Sequence, residues 1–330
     1  MLLRVLLLLP VVAFGLPPLT EEISQWETFV QKHEKSYPCH DEETKRFAIF
    51  VENMRLAKER NAKEKGTAVF GINEFSDLTR EEFRTTRLMN RDLLARTKTV
   101  YINQAPEEAY AIKDLPQSFD WRQHNAVTEV KDQGQCGSCW AFSVVGNVES
   151  TYAVKKGKLI SLSEQEVVDC AADQKGCDGG WPVQALVDIE ALGGLETEHD
   201  YGYEGEQEPQ CQFNASAVAV EFNDVVSLSK DEDKIAAYLV KHGAISVALN
   251  AGDSLLDYKY GIINLSEEDC DPERPDHAVL LVGYGNEDGT PYWIVKNSWG
   301  SSWGEEGYFR IARSQNTCGI ADNAVSAVVN

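Results

Sequence analysis

Apolar residues follow three rhythms along this chain. Between residues 21 and 66 they recur at helical spacing. Trp26, Phe29 and Val30 begin the pattern, and DEETKRFAIFVENMRLAKERNAK continues it with strong helix formers. The spacing predicts a helix over 21–66. Within it Glu42, Arg46, Phe50, Asn53, Ala57 and Asn61 are separated by steps of three and four, which places them on one face. The next stretch, GTAVFGINEFSDLT, alternates through Val69, Gly71, Asn73, Phe75 and Asp77 and predicts a short strand and turn. Residues 84–114 have weak periodicity and mixed charge, which predicts a connecting segment. After Cys139, WAFSVVGNVESTYAVKKG sets Phe142, Val145, Val148 and Tyr152 on one helical stripe, with Gly157 past its end. Glycine, cysteine and turn residues dominate 170–215. Beyond Val218 the runs AISVALN, HAVLLVGYG, PYWIVKNSWG and GYFRIAR predict strands. The fold class is therefore α+β. A helical half spans about 124–225, and a β-rich half spans about 226–330 plus the N-terminal stretch. A groove between two such halves is a common seat for a substrate.

The opening segment breaks the pattern. MLLRVLLLLPVVAFG carries one early arginine, an apolar run and small residues at Ala13 and Gly15, so residues 1–15 read as a secretory signal. No later run approaches the ~20 apolar residues that a membrane span needs. Entry into an oxidising compartment lets disulfides persist, and the sequons at Asn214 and Asn264 become candidates for glycosylation. Net charge is −22, unevenly placed: residues 115–330 hold 14 Lys and Arg against 35 Asp and Glu, a net −21. So acidic a body argues against nucleic acid and anionic membranes as partners.

The candidate chemistry centres on QCGSCW. Its C-x-x-C spacing, Cys136 and Cys139, serves metal sites, redox pairs and nucleophiles alike. A zinc site would need a second C-x-x-C or H-x-x-x-H, and the chain has neither. A nucleophilic thiol needs a thiolate, a base and a group that orients the base. Cys139 opens a predicted helix, whose positive end favours an anion. His277, at the mouth of a predicted strand, is the base candidate among six histidines. Asn297 in VKNSWG has a side chain that can fix an imidazole, and Trp299 can shield that bond from water. Gln133, six residues before Cys139, can donate to a developing oxyanion together with the Cys139 N–H. Each residue alone has a blander role as half of a disulfide, a core or surface histidine, or a turn former. The joint pattern carries the argument.

Three blocks, QGQCGSCWAFS, DHAVLLVGYG and KNSWGSSWGEEGYFRI, together resemble the active-site blocks of papain-family cysteine peptidases, whose local signature is C-G-[SA]-C-[WY] with the histidine and asparagine far downstream. Here His277 lies 138 residues after Cys139 and Asn297 lies 158 after it. The face Glu42, Arg46, Phe50, Asn53, Ala57, Asn61 and the run Gly71, Asn73, Phe75, Asp77 are similar to the family's two inhibitory-prosegment motifs. Ala57 stands where most cathepsin L relatives carry isoleucine, which points toward the cathepsin F branch, although Asn61 departs from that branch's usual glutamine.

The resemblance implies a papain-like two-domain fold, with residues 16–114 as a helical inhibitory prosegment and 115–330 as the mature peptidase. It implies disulfides Cys136–Cys177, Cys170–Cys211 and Cys270–Cys318, leaving Cys139 free and Cys39 without an evident partner. Cys139 and His277 would form a thiolate–imidazolium pair that hydrolyses peptide bonds through a thioester. Gly179 and Gly180 would expose backbone to the substrate. Trp181, Pro182, Ala248, Pro275 and Ala278 would line the pocket for the residue before the cleaved one, with Asn323 near its floor and Trp303 also at the substrate site. That lining implies a hydrophobic preference. Partners would be protein and peptide substrates, the chain's own prosegment and cystatin-like inhibitors, acting on a monomer with no cofactor and no metal. Asp77 and Glu42 would be the carboxylates through which acid loosens the prosegment. The expected location is lysosomal or extracellular. The alternative of another class is an inactive papain-fold binding or inhibitor protein.

Overall fold

The structure, a computed structural model, describes residues 20–90, 100–172 and 174–330. The segment read as a signal lies outside them. Two helices, α1 (Thr20–Lys32) and α2 (His40–Lys63), replace the single helix expected over 21–66. The break has local causes. Glu34 takes a left-handed φ of 51°, and Pro38, which has no N–H for a helix, precedes α2. Trp26, Phe29 and Phe50 pack the pair together, with ring centroids 5.1–5.5 Å apart.

The face foreseen on α2 reaches the chain that follows it. Asn53 Nδ2 donates to the carbonyls of Ser76 and Leu78, each at 2.9 Å. Asn61 exchanges two hydrogen bonds with Phe70, of 2.8 and 2.9 Å, in strand β1 (Val69–Phe70). Helix α3 (Arg80–Arg87) starts at a capping box formed by Thr79 and Glu82. Its last turn occupies the beginning of the expected connecting segment. Strand β2 (Asn103–Gln104) and a single turn, α4 (Glu107–Tyr110), occupy part of the rest.

The body opens with β3 (Phe119–Asp120), then α5 (Cys139–Lys156), α6 (Glu164–Cys170) and α7 (Pro182–Leu192). α5 ends where Gly157 turns left-handed at φ 71°, as its position past the stripe predicted. Burial is not confined to the expected stripe: Trp140, Ser143, Val144, Asn147 and Glu149 are as buried as Val145 and Val148, while Phe142 and Tyr152 are only half-buried, because the helix lies between the two halves. Strand β4 (Asp224–Ser227) leads to α8 (Glu232–His242), a helix in a stretch expected to be strands. Its signals are conventional: Asp231 accepts from Asp233 N and Lys234 N, and Gly243 ends it.

Strands β5 (Ile245–Leu249), β6 (Tyr258–Tyr260), β7 (Ile262–Ile263), β8 (His277–Glu287), β9 (Thr290–Lys296), β10 (Tyr308–Ala312) and β11 (Asn323–Val328) complete the chain. The main sheet runs β2-β4-β11-β5-β8-β9-β10-β7, with β3 paired to β8, and β1 pairs separately with β6. The halves are pinned through buried polar groups. Ser143 Oγ donates to Val279 O at 2.6 Å and Asn147 Nδ2 to Ala244 O at 2.7 Å. Behind them Lys131 Nζ lies 2.6 Å from Glu164, and Lys296 Nζ reaches Glu149 through Thr128 Oγ1 in steps of 2.9 and 2.6 Å. Buried charges persist only when partnered in this way.

Candidate active site

Cys139 is the first residue of α5, and the segment before it is held by two anchors. Cys136 is bonded to Cys177 with Cα atoms 4.5 Å apart, and Gly137 N donates to Cys177 O at 2.8 Å. Gly137 has no room for a side chain: a Cβ there would lie 2.4 Å from Cys177 O and 2.9 Å from Leu88 O. The C-x-x-C cysteines therefore have separate tasks. The other disulfides are Cys170–Cys211 and Cys270–Cys318, the pairing the resemblance implied; Cys139 is a buried free thiol and Cys39 an exposed one.

His277 begins β8 and is fully buried. Its Nε2 lies 2.8 Å from Asn297 Oδ1, an oxygen that only accepts, so Nε2 carries a proton. In the neutral ring the lone pair is then on Nδ1, which is buried with no hydrogen-bond partner among the described residues. Trp299 stacks on the imidazole with centroids 4.7 Å apart and planes at 25°. Cys139 and Ala278, the neighbour of His277, belong to one buried cluster, so the two halves meet at the thiol.

Gln133 is oriented from behind. Ser298 Oγ and Trp299 Nε1 donate to its Oε1 at 2.7 and 3.0 Å, which turns Nε2 the other way. Nε2 donates to Cys136 O at 2.7 Å and to Arg87 O at 3.2 Å. Ser298 has no signal of its own in the sequence beyond its place after Asn297.

The chain after α3 fills the groove. Met89 N donates to Asp276 O at 2.8 Å on one wall, and Asn90 N donates to Asp178 O at 3.0 Å on the other. Met89 is 3% exposed and joins the buried cluster of Cys139, Trp140 and Ala278, against which Trp181 packs. Its Cβ lies 3.1 Å from where a Cβ on Gly179 would stand, and Gly179 has φ 125°. Gly180 is small for another reason: a Cβ there would meet the Trp140 ring at 2.6 Å.

Strand register brings three of the expected pocket residues together. Ala278 on β8 pairs with Ala248 on β5, which pairs with Asn323 on β11, so the three side chains share one face of the sheet. Pro182 is buried at the first position of α7, and half-buried Pro275 precedes Asp276. Trp303 is fully buried in this closed form, edge-on to Trp299 at 4.9 Å, with Nε1 donating to Leu255 O.

Burial sets the protonation states. It pushes the Cys139 thiol up to about 12, against the backbone hydrogen bonds that favour the thiolate. It pushes His277 down to about 4, against the Asn297 hydrogen bond. With residues 88–90 over the groove, burial favours the neutral forms of both groups.

A cysteine at a helix start, an oriented imidazole and an aimed amide come together here, covered by residues 88–90 of the same chain. Residues 115–328 match the papain family cysteine protease profile, and residues 26–83 match the cathepsin propeptide inhibitor domain. The chain belongs to the papain family of cysteine proteases and carries that family's inhibitory propeptide. It is 48% identical to cathepsin F of Mus musculus over 306 residues, covering 92% of this chain and 64% of that protein. Against cathepsin F of Drosophila melanogaster it is 43% identical, covering 89% of this chain and 48% of that protein. It therefore spans about half to two thirds of these relatives' length. The solved structure of digestive procathepsin L 3 from Tenebrio molitor larval midgut aligns with a TM-score of 0.80 at 38% identity, covering 93% of this chain and 99% of that one.

Proposed function

We propose that this chain is the zymogen of a cysteine endopeptidase, with residues 16–114 as the removable prosegment and cleavage near Asp114–Leu115. The observation that carries the reading is the His277 Nε2–Asn297 Oδ1 bond of 2.8 Å at the thiol that heads α5. Once the groove is uncovered, the proton of Cys139 passes to His277 Nδ1, and the helix terminus and imidazolium favour the thiolate. The sulfur attacks the scissile carbonyl. Its oxygen takes the negative charge and is met by Gln133 Nε2, now released from Arg87 O, and by the Cys139 N–H. His277 protonates the leaving amine, and the peptide bond breaks to leave a thioester. Water, deprotonated by His277, then releases the acid and restores the thiol.

Met89 supports a hydrophobic preference at the residue before the cleaved one, since an apolar side chain already occupies the cluster of Ala278 and Trp181. Asn323 is polar and uncharged, so strong selection for arginine there is not expected. The three disulfides fit an oxidising, secretory or lysosomal setting. We place the mature enzyme in lysosomes or outside the cell, glycosylated at Asn214 and Asn264, with cystatin-like proteins as further inhibitors. No described helix is long and apolar enough to cross a membrane. The test is Cys139→Ser, purified as the zymogen and matured in trans. It should cleave hydrophobic peptide substrates at background rate; retained turnover would refute the assignment.

A further inference from the structure

Away from the groove, the prosegment covers a second surface on the body, formed by residues 253–262. Leu256 O and Tyr258 O accept from Asn73 Nδ2 at 2.7 and 3.4 Å. Asp257 O accepts from Gly71 N at 2.7 Å, and Ile262 O from the N–H groups of Thr67 and Ala68 at 3.0 and 3.1 Å. Asp257 pairs with Arg60, and Asp253 pairs with Arg80 and, at 2.8 Å, with Arg84. In these contacts the body accepts and the prosegment donates; Ile262 N, which donates to Thr67 Oγ1 at 2.9 Å, runs the other way. β6 offers its edge to β1, and the Tyr258 ring meets Phe70 at 6.4 Å. Lys259 is the only cation among residues 253–262.

We propose that this surface is an exosite of the mature enzyme, which docks an extended segment of a protein substrate carrying an aromatic side chain and arginine. The proposal rests on the reading of residues 16–114 as removable. Three features select that occupant. Removing the prosegment leaves carbonyls and two carboxylates that need donors, beside a strand edge that needs an extended partner. The body's net charge of −21 draws basic segments and repels a second copy of itself. The surface is also continuous with the groove. α3 leads from Asp253 past Trp299, where Phe83 packs at 5.2 Å, to Arg87 on Gln133. Its eight residues span ~12 Å at ~1.5 Å each, a distance that about four extended residues bridge. A substrate can therefore occupy both surfaces at once, and docking at one raises its effective concentration at the other.

The experiment uses acid-matured enzyme and fluorogenic peptides that share one cleavable core. One is bare. Others carry, at either end, a four-residue spacer and a segment with two arginines and a phenylalanine; controls replace the arginines by glutamate. The basic aromatic extension at one end should lower KM at least fivefold with kcat unchanged. The gain should shrink with added salt and be lost in Asp253→Asn, while the bare peptide is cut equally by both enzymes. Lys259→Glu, which removes the lone cation, should enlarge the gain. Equal KM for bare and extended peptides on the unmutated enzyme, or a gain that survives Asp253→Asn, would overturn the exosite. Failure to cut the bare peptide would instead refute the peptidase reading.

Discussion

At the residue scale, the site is governed by which polar atom faces which. Asn297 Oδ1 can only accept, so it fixes both the tautomer and the tilt of His277. A hydrogen bond to a charged partner contributes about 1.5–3 kcal/mol. Asn297→Ala should therefore lower kcat by ~10–150-fold, with KM little changed, in steady-state assays of the mature enzyme. Gln133→Ala removes an oxyanion donor whose amide is already aimed by Ser298 and Trp299. Loss of one such donor costs ~10²–10³ in kcat. Much of this site was legible in the sequence, because Cys139, His277, Asn297 and Gln133 sit in short blocks whose order reflects local chemistry. Ser298 as an aiming group was not, since its role depends on a partner 165 residues away. The protonation states were not legible either, because they depend on what covers the thiol.

At the element scale, the short segment after α3 is as consequential as any helix. Sequence periodicity showed only a connector over 84–114, because residues 88–90 owe their path to the groove walls and not to their own preferences. Met89 is the anchor. Truncating a buried methionine costs about 2–5 kcal/mol. Met89→Ala should thus weaken inhibition by the prosegment at least ~30-fold, taking the lower bound, measured as Ki for the separately added prosegment. No change in Ki would place the inhibitory contact elsewhere. The α1–α2 break and α8 were missed for a related reason: a helical period extends through Pro38 on paper, and an apolar run before a strand masks a capped helix. The strands were legible because β5, β8 and β9 are buried apolar runs whose period needs no partner to be read.

At the scale of the whole molecule, the question is whether acid loosens the closed form. Glu82, which drew no notice in the sequence, ties α3 to α2 through Arg46 at 2.7 and 2.9 Å. Partial burial opposes its ionisation, but Arg46 and Thr79 outweigh burial and hold the carboxyl at about 2, below its ordinary 4.5. A depressed carboxyl stabilises the folded form above its ordinary pKa and loses that contribution as pH falls toward the depressed value. Glu82 therefore loosens the prosegment between pH 4.5 and about 2. Asp257 works the other way. Burial raises it to about 6 from its ordinary 3.8 despite Arg60, so relative to the unfolded chain it favours the folded form as pH drops through 6. Opening should begin only near pH 4.5, and Glu82→Gln should flatten its pH dependence below that point, read by tryptophan fluorescence and limited proteolysis. Unaltered pH dependence in Glu82→Gln would exclude this carboxyl as the sensor. Asp77 and Glu42 serve the same assembly by geometry: Asp77 accepts from Lys35 and Tyr37, each at 2.9 Å, and Glu42 accepts from Arg46 at 2.7 Å.

The central claim is that one thiol performs the chemistry and that the prosegment withholds it. Labelling with an epoxide thiol inhibitor, followed by peptide mass spectrometry, addresses both parts in one measurement. The intact zymogen at pH 7 should take up no label at Cys139, which is a buried free thiol whose ionisation burial opposes. After acid maturation, the label should appear at Cys139 in proportion to activity, with Cys136 still bonded to Cys177. Label at Cys139 in the closed zymogen, or full activity in matured enzyme that carries no label there, would contradict the account.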